Sequence, residues 1–202
     1  MNIPTSLIRS HEKKMRENPD YVRKIEWAIS GGLETGLTTP AEITNEILNF
    51  CKVISDGNEP IRINVKAPLW SRKACCEMNS RKLADELEGG GELTYGYKIW
   101  SNGVYAMAEP HCVLQTPDGI LIDPTFNADS EEVILFVKKT KMTSTQIKDL
   151  SERPCVALDP DFELCVLLKR IEDAKTGLSF PSEEKAWAQE ITYADHLKLL
   201  AK

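Results

Sequence analysis

The five residues Thr116-Pro117-Asp118-Gly119-Ile120 lie inside the run "HCVLQTPDGILIDPTF" and constrain this chain more than any other feature. Proline presets φ at the first turn position, aspartate bonds to the nearby backbone, and glycine takes positive φ without steric cost. The pattern predicts a three-residue hairpin loop: two right-handed helical positions, then a left-handed glycine that closes a bulge. Thr116 then pairs with Ile120, and paired residue numbers sum to 236. If that register continued, His111 would face Thr125 and Val113 would face Asp123. His111 and Asp123 would share one sheet face as diagonal neighbours. A two-residue loop would put them on opposite faces.

A histidine and an aspartate meeting on a hairpin is by itself an ordinary core histidine beside a strand-end aspartate. A thiol upstream widens the possibilities. The stretch "KACCEMN" precedes a helical pattern, "RKACCEMNSRKLADELEGGG", expected to end at Gly89. A thiol in a first helical turn meets unpaired N–H groups and the positive end of the helix dipole, and both favour the thiolate. Cys75 and Cys76 would point about 100° apart. Cys76 shares its face with Asn79, Leu83 and Leu87, the face expected to pack on the sheet, so Cys76 is the preferred nucleophile and Cys75 the alternative. His111 would act as base and acid, Asp123 would orient its ring, and the cysteine backbone N–H could donate to an oxyanion. Trp70, Asn79 and Trp100 are further candidates for shaping the oxyanion hole or the substrate's surroundings. Cys51, Cys155 and Cys165 read as small buried hydrophobes. Cys112 is expected to face away from the site. Cys75, Cys76, His111 and Asp123 could alternatively supply zinc ligands, although adjacent cysteines seldom converge on one ion and no spacing matches a zinc motif.

The flanking sequence is mostly helical. "NPDYVRKIEWAIS" predicts a helix that stops at Gly31-Gly32. "TTPAEITNEILNFCKVIS" predicts another, with Thr39 as N-cap, Pro40 in the first position and Glu42 in capping-box spacing. Its apolar face is Ile43, Ile47, Leu48, Cys51 and Ile54. "IRINVKAP" alternates as a strand. "ELTYGYKIW", "VYAMAEPHCVLQ", "ILIDPTF" and "EEVILFVKK" continue the strands. Helices return in "PDFELCVLLKRIEDAK" and in "PSEEKAWAQEITYADHLKLLAK", read as one helix from Pro181. The expected fold is α+β in a single domain: a helical arm over residues 1–59, a core over 60–140 with a nucleophile helix on an antiparallel sheet, and helices over 141–202.

Composition excludes several function classes. The net charge is −6 and the pI about 5.2, without the basic face a nucleic-acid binder needs. The short basic run "VKKTK", Val137 to Lys141, reads as solvated surface. No run of about 18 apolar residues predicts a membrane span. The N-terminal stretch has no apolar signal core. Six cysteines scattered without a C-x-x-C fit a reducing cytoplasm better than a disulfide framework.

The order of helix cysteine, strand histidine and strand aspartate resembles the transglutaminase-like branch of the papain-like thiol enzymes. Cys76 to His111 spans 35 residues and His111 to Asp123 spans 12. Within that branch the stretches "CEMNSRKL", "KIW", "HCVL" and "ILIDPTF" are similar to protein N-terminal glutamine amidohydrolases and to uncharacterised bacterial and phage-borne relatives. The resemblance covers roughly Ile61 to Phe126. It implies a papain-like core with Cys76 as nucleophile, His111 as base and Asp123 as orienting acid. It also implies hydrolysis of an amide bond in a protein, a peptide or a small amide, without cofactor or metal. The alternatives are a non-catalytic binding module that keeps the fold, or a structural zinc protein.

Overall fold

The computed structural model describes residues 3–127, 129–147, 153–176 and 183–201. It is a mixed α+β structure built on a small closed barrel. Its strands are β1 (Ile61–Val65), β2 (Glu92–Ser101), β3 (Tyr105–Gln115), β4 (Leu121–Asp123), β5 (Val133–Lys138) and β6 (Cys155–Ala157). They are ordered β2-β5-β1-β4-β3-β6, and a further β2–β3 pairing closes the ring with β6 outside it. The expectation of an antiparallel sheet needs one correction. β1 and β4 run parallel, with Val65 opposite Asp123. Closure is possible because β2 and β3 are long and pair along their whole length, from Glu92↔Gln115 to Ser101↔Ala106. Gly96 allows β5 to approach: a Cβ there would lie 2.1 Å from the Val137 carbonyl oxygen.

The two barrel faces separate by strand alternation. Ile63, Val113, Ile134 and Phe136 form the inner core. Outside, Tyr97, Ile99, Ala106, Ala108, Leu135 and Val137 pack under α3 (Asn45–Ile54) through Ile47, Phe50, Cys51 and Ile54. Helix α3 starts later than expected. Thr44 is its N-cap and accepts from the Ile47 N–H. The Thr39 N–H instead reaches the Glu131 carboxylate, as do the Thr38 and Thr39 hydroxyls. A tertiary carboxylate takes the place of a local cap. Ile43 consequently lies outside the helix and exposed.

The two arms do not stand apart. Tyr21, Ile25 and Ala28 of α2 (Pro19–Ile29), which follows α1 (Thr5–Glu17), share a core with Tyr105 and Met107 of β3. Cys155 of β6 and Cys165 and Val166 of α6 (Glu163–Thr176) complete it. The segment 141–202, read as the C-terminal helices, also contributes a strand, β6, which pairs with β3 at Tyr105↔Ala157.

Beyond the short α5 (Ser144–Ile147), the last helix of the sequence reading divides into α7 (Glu183–Gln189) and α8 (Tyr193–Leu200); Pro181 lies outside the described residues. Thr192 caps α8 by accepting from the Asp195 N–H. The extended joint pairs with residues 69–73: Lys73 N–H donates to Ile191, Tyr193 N–H to Ser71 and Ala194 N–H to Leu69. Among the described residues no helix is long and apolar enough to cross a membrane.

Candidate active site

The hairpin turn forms as its residues dictate. Gly119 has φ +83°, its N–H donates to Thr116 O at 2.9 Å, and Thr116 N–H donates to Ile120 O at 2.9 Å. The register sum of 236 holds at Gln115↔Leu121 and Leu114↔Ile122. It does not continue. Beyond Ile122, β4 pairs with β1 at Val65↔Asp123 and no longer with β3, so Thr125 does not face His111; on its other edge His111 lies opposite Gly96 of β2.

The separation of β3 from β4 creates the site. The outer edge of β3 is occupied by β6 and Pro154 up to Ala108, and by β4 from Leu114. Pro110 falls in the interval, where a proline leaves no backbone donor without a partner. Helix α4 (Cys76–Glu86) places its first turns there. Ser80 Oγ donates to Cys112 O at 3.3 Å and Asn79 Nδ2 donates to Thr125 Oγ1 at 3.0 Å. The helix therefore bridges the two strands that have parted. Its inner side packs Leu83, Ala84 and Leu87 on Leu114 and Ile122.

His111 stands in the middle of that interval. Its Nε2 lies 2.9 Å from Asp123 Oδ2. The other carboxylate oxygen accepts from Thr125 N–H at 2.8 Å, which fixes the carboxylate plane. With Nε2 engaged, Nδ1 is the ring nitrogen left toward Cys76, which is close enough to act on the imidazole electrostatically. Burial by itself lowers the imidazole pKa. The Asp123 carboxylate, hydrogen-bonded to the ring, and after it Cys76 outweigh burial and raise the pKa to about 10. The geometry can hold an imidazolium between a carboxylate and a sulfur. Cys76 is 8% exposed, His111 7% and Asp123 0%, so the group is nearly enclosed.

Cys76 is the first residue of α4, where the helix leaves its N–H groups without intrahelical acceptors. Ala74, two residues before, has φ +56°, a left-handed conformation that costs a residue with a Cβ about 1–2 kcal/mol. That turn delivers the chain from the 69–73 segment into the helix. Cys75 is the N-cap and is buried. Burial pushes the other four thiols up, Cys51 to about 12, with Cys112, Cys155 and Cys165 raised as well. By strand alternation Cys112 takes the face of β3 opposite to His111, and burial dominates at its thiol.

The three shaping candidates have other partners. Asn79 is fully buried; its amide donates to Arg72 O and Thr125 Oγ1, and its oxygen accepts from Arg72 N–H. It fastens the segment before Cys76 to the end of β4 and has no amide hydrogen left for an oxyanion. Trp70 donates to Glu86 at 3.0 Å and carries Lys82 over its ring. Glu86 is at the far end of α4, about 15 Å along the axis from Cys76. Trp100 donates to Glu109 at 3.0 Å and lies under the Lys98 ammonium, 3.6 Å from its ring centre.

The sequence reading did not identify two buried charges near the site. Glu77, beside the thiol, accepts from Arg81, Tyr95 and Ser144 and ties α4 to β2 and α5. Lys98 is 1% exposed on β2. A lysine inside the apolar, aromatic run "YGYKIW" was the signal available for it. For Glu77 the only local signal was Arg81 four residues on, because Tyr95 and Ser144 come from distant parts of the chain.

Among the described residues no group of three or more histidine, cysteine, aspartate or glutamate side chains is arranged to hold a metal ion, so the zinc alternative is not carried forward. No protein-family model matches the chain, nor does any curated protein or solved structure.

Proposed function

We propose that this protein is a thiol hydrolase of the papain-like kind that converts a primary carboxamide to a carboxylic acid. The observation that carries the reading is the buried His111–Asp123 pair, 2.9 Å apart, with Cys76 at a helix start near enough to act on the imidazole. The Cys76 sulfur attacks the carboxamide carbon, and negative charge gathers on the carbonyl oxygen near the Cys76 N–H. The C–N bond breaks as His111 gives its proton to the leaving nitrogen, releasing ammonia and leaving a thioester. His111 then takes a proton from water, the hydroxide oxygen joins the acyl carbon, and the thiol is regenerated.

A carboxamide fits better than an extended peptide bond. Peptides commonly dock by pairing with an exposed strand edge. The segment leading into Cys76 has both edges engaged: Ser71 and Lys73 with the α7–α8 joint, and Arg72 with Asn79. A slim amide group needs no such edge and suits a nearly enclosed thiol.

The test is incubation of the full chain with peptides carrying glutamine or asparagine, followed by mass spectrometry and an ammonia assay. Amide-to-acid conversion that is absent in Cys76→Ala supports the reading. Peptide cleavage, or activity that survives Cys76→Ala, overturns it.

A further inference from the structure

Lys98 has no part in the chemistry above, yet it is a lysine removed almost entirely from water beside it. Nζ donates to Asn127 Oδ1 at 2.6 Å, lies 3.6 Å from Glu131 Oε2, and sits 3.6 Å above the Trp100 ring centre. Glu131 in turn holds Thr38 and Thr39 of the N-terminal arm. On β2, Lys98 lies opposite Glu109, and Gly96, two residues earlier, lies opposite His111. Lys98 and His111 are thus diagonal neighbours on one barrel face, about 7–8 Å apart. Asn127 ends the run that begins at Asp123, so the lysine grips the far end of the loop that carries the aspartate.

We propose, on the thiol-hydrolase reading above, that Lys98 is a positioning residue for that site. Its ammonium pins the Asp123–Asn127 loop to β2 and keeps Asp123 directed at His111.

The charges around the lysine are consistent with that role. Burial opposes its protonation, and Asp123 supports the charged form more than Glu131, Glu109 or Asp129 does. A buried cation paired to several carboxylates needs all of them to offset its desolvation. Lys98 therefore works in two ways: as a clamp through Asn127 and as a charge felt by the Cys76–His111–Asp123 group. A cation in that position favours a thiolate and disfavours an imidazolium.

The rate of Cys76 alkylation by iodoacetamide against pH, followed by mass spectrometry on the folded full chain, reads this charge without a substrate. Lys98→Met removes the cation and should move the profile to higher pH by on the order of one unit. Glu131→Gln keeps the lysine but removes a neutralising charge and should move the profile the other way. It also serves if Lys98→Met fails to fold, since the amide oxygen can still accept from Thr38 and Thr39. Opposite shifts support the inference. Unshifted profiles, or Glu131→Gln moving to higher pH, overturn it while leaving the hydrolase reading intact. A wild-type Cys76 that labels no faster than Cys51 or Cys112 overturns the hydrolase reading, and the role of Lys98 with it.

Discussion

His111 Nε2 lies 2.9 Å from Asp123 Oδ2 even though the strands carrying them do not pair at that level. The contact is made across an interval in the sheet, with the first turns of α4 beside it. A carboxylate buried against an imidazole in this way orients the ring and stabilises its protonated form. Asp123→Asn should lower turnover or Cys76 labelling by about 10²–10⁴-fold, measured as initial rates at neutral pH. His111→Ala should abolish both.

The same pair makes a pH prediction. The folded-state pKa of His111 is raised, so its stabilisation is fully present below the ordinary histidine value of about 6.5. It fades as pH rises and is lost on passing through about 10. Melting temperatures of the wild-type chain and His111→Gln, taken across this range, should differ most at pH 6 and converge above pH 10. A gap that widened with pH would contradict the assignment.

Asn79 makes three buried hydrogen bonds that join the approach to Cys76 with the end of β4. Asn79→Ala removes the acceptor of the Arg72 N–H and the amide donor to Thr125 Oγ1, and leaves Arg72 O with only the Cys75 N–H. It should cost roughly 2–4 kcal/mol in urea unfolding. Labelling of Cys76 should slow in the protein that remains folded, because the helix start loses its anchor.

Ala74 holds a left-handed conformation directly before the thiol segment. Ala74→Gly removes the Cβ clash, partly offset by the greater freedom glycine has in the unfolded chain. It should stabilise by up to about 1 kcal/mol. Ala74→Val should destabilise. Thermal melts that ranked the two variants the other way would show that the turn is not strained.

Gly96 faces a carbonyl across the barrel wall. A Cβ would stand 2.1 Å from Val137 O and 2.7 Å from the Phe136 ring. The nearer obstacle is backbone, so β2 and β5 would have to separate. Gly96→Ala should cost at least about 1–3 kcal/mol, seen as a lowered denaturation midpoint.

Local chemistry was legible where neighbours in the chain decide it. The turn Thr116-Pro117-Asp118-Gly119 specified its register, and "ACCEMN" specified a helix beginning at the cysteines. The alternation in "IRINVKAP" marked β1 as a strand. The Thr39-Pro40 pattern misled for a definite reason: a cap can be satisfied by any acceptor, and Glu131, 92 residues away, reached the Thr39 N–H. The α7–α8 break was hidden in the same way, because its extended joint is held by Leu69, Ser71 and Lys73 rather than by its own residues.

The sequence by itself determined the hairpin, the helix start, and a histidine and an aspartate close enough in the chain to share a face. Their meeting was decided only in three dimensions. β4 had to leave β3 for β1, Pro110 had to fall where β3 loses its outer partner, and α4 had to enter the interval so that Cys76 reaches His111. Lys98, Glu77 and Asn79 acquired their partners by the same closure. Backbone propensities act over a few residues, whereas a closed barrel joins β1 to β5 and β2 to β5 through contacts that no local pattern encodes.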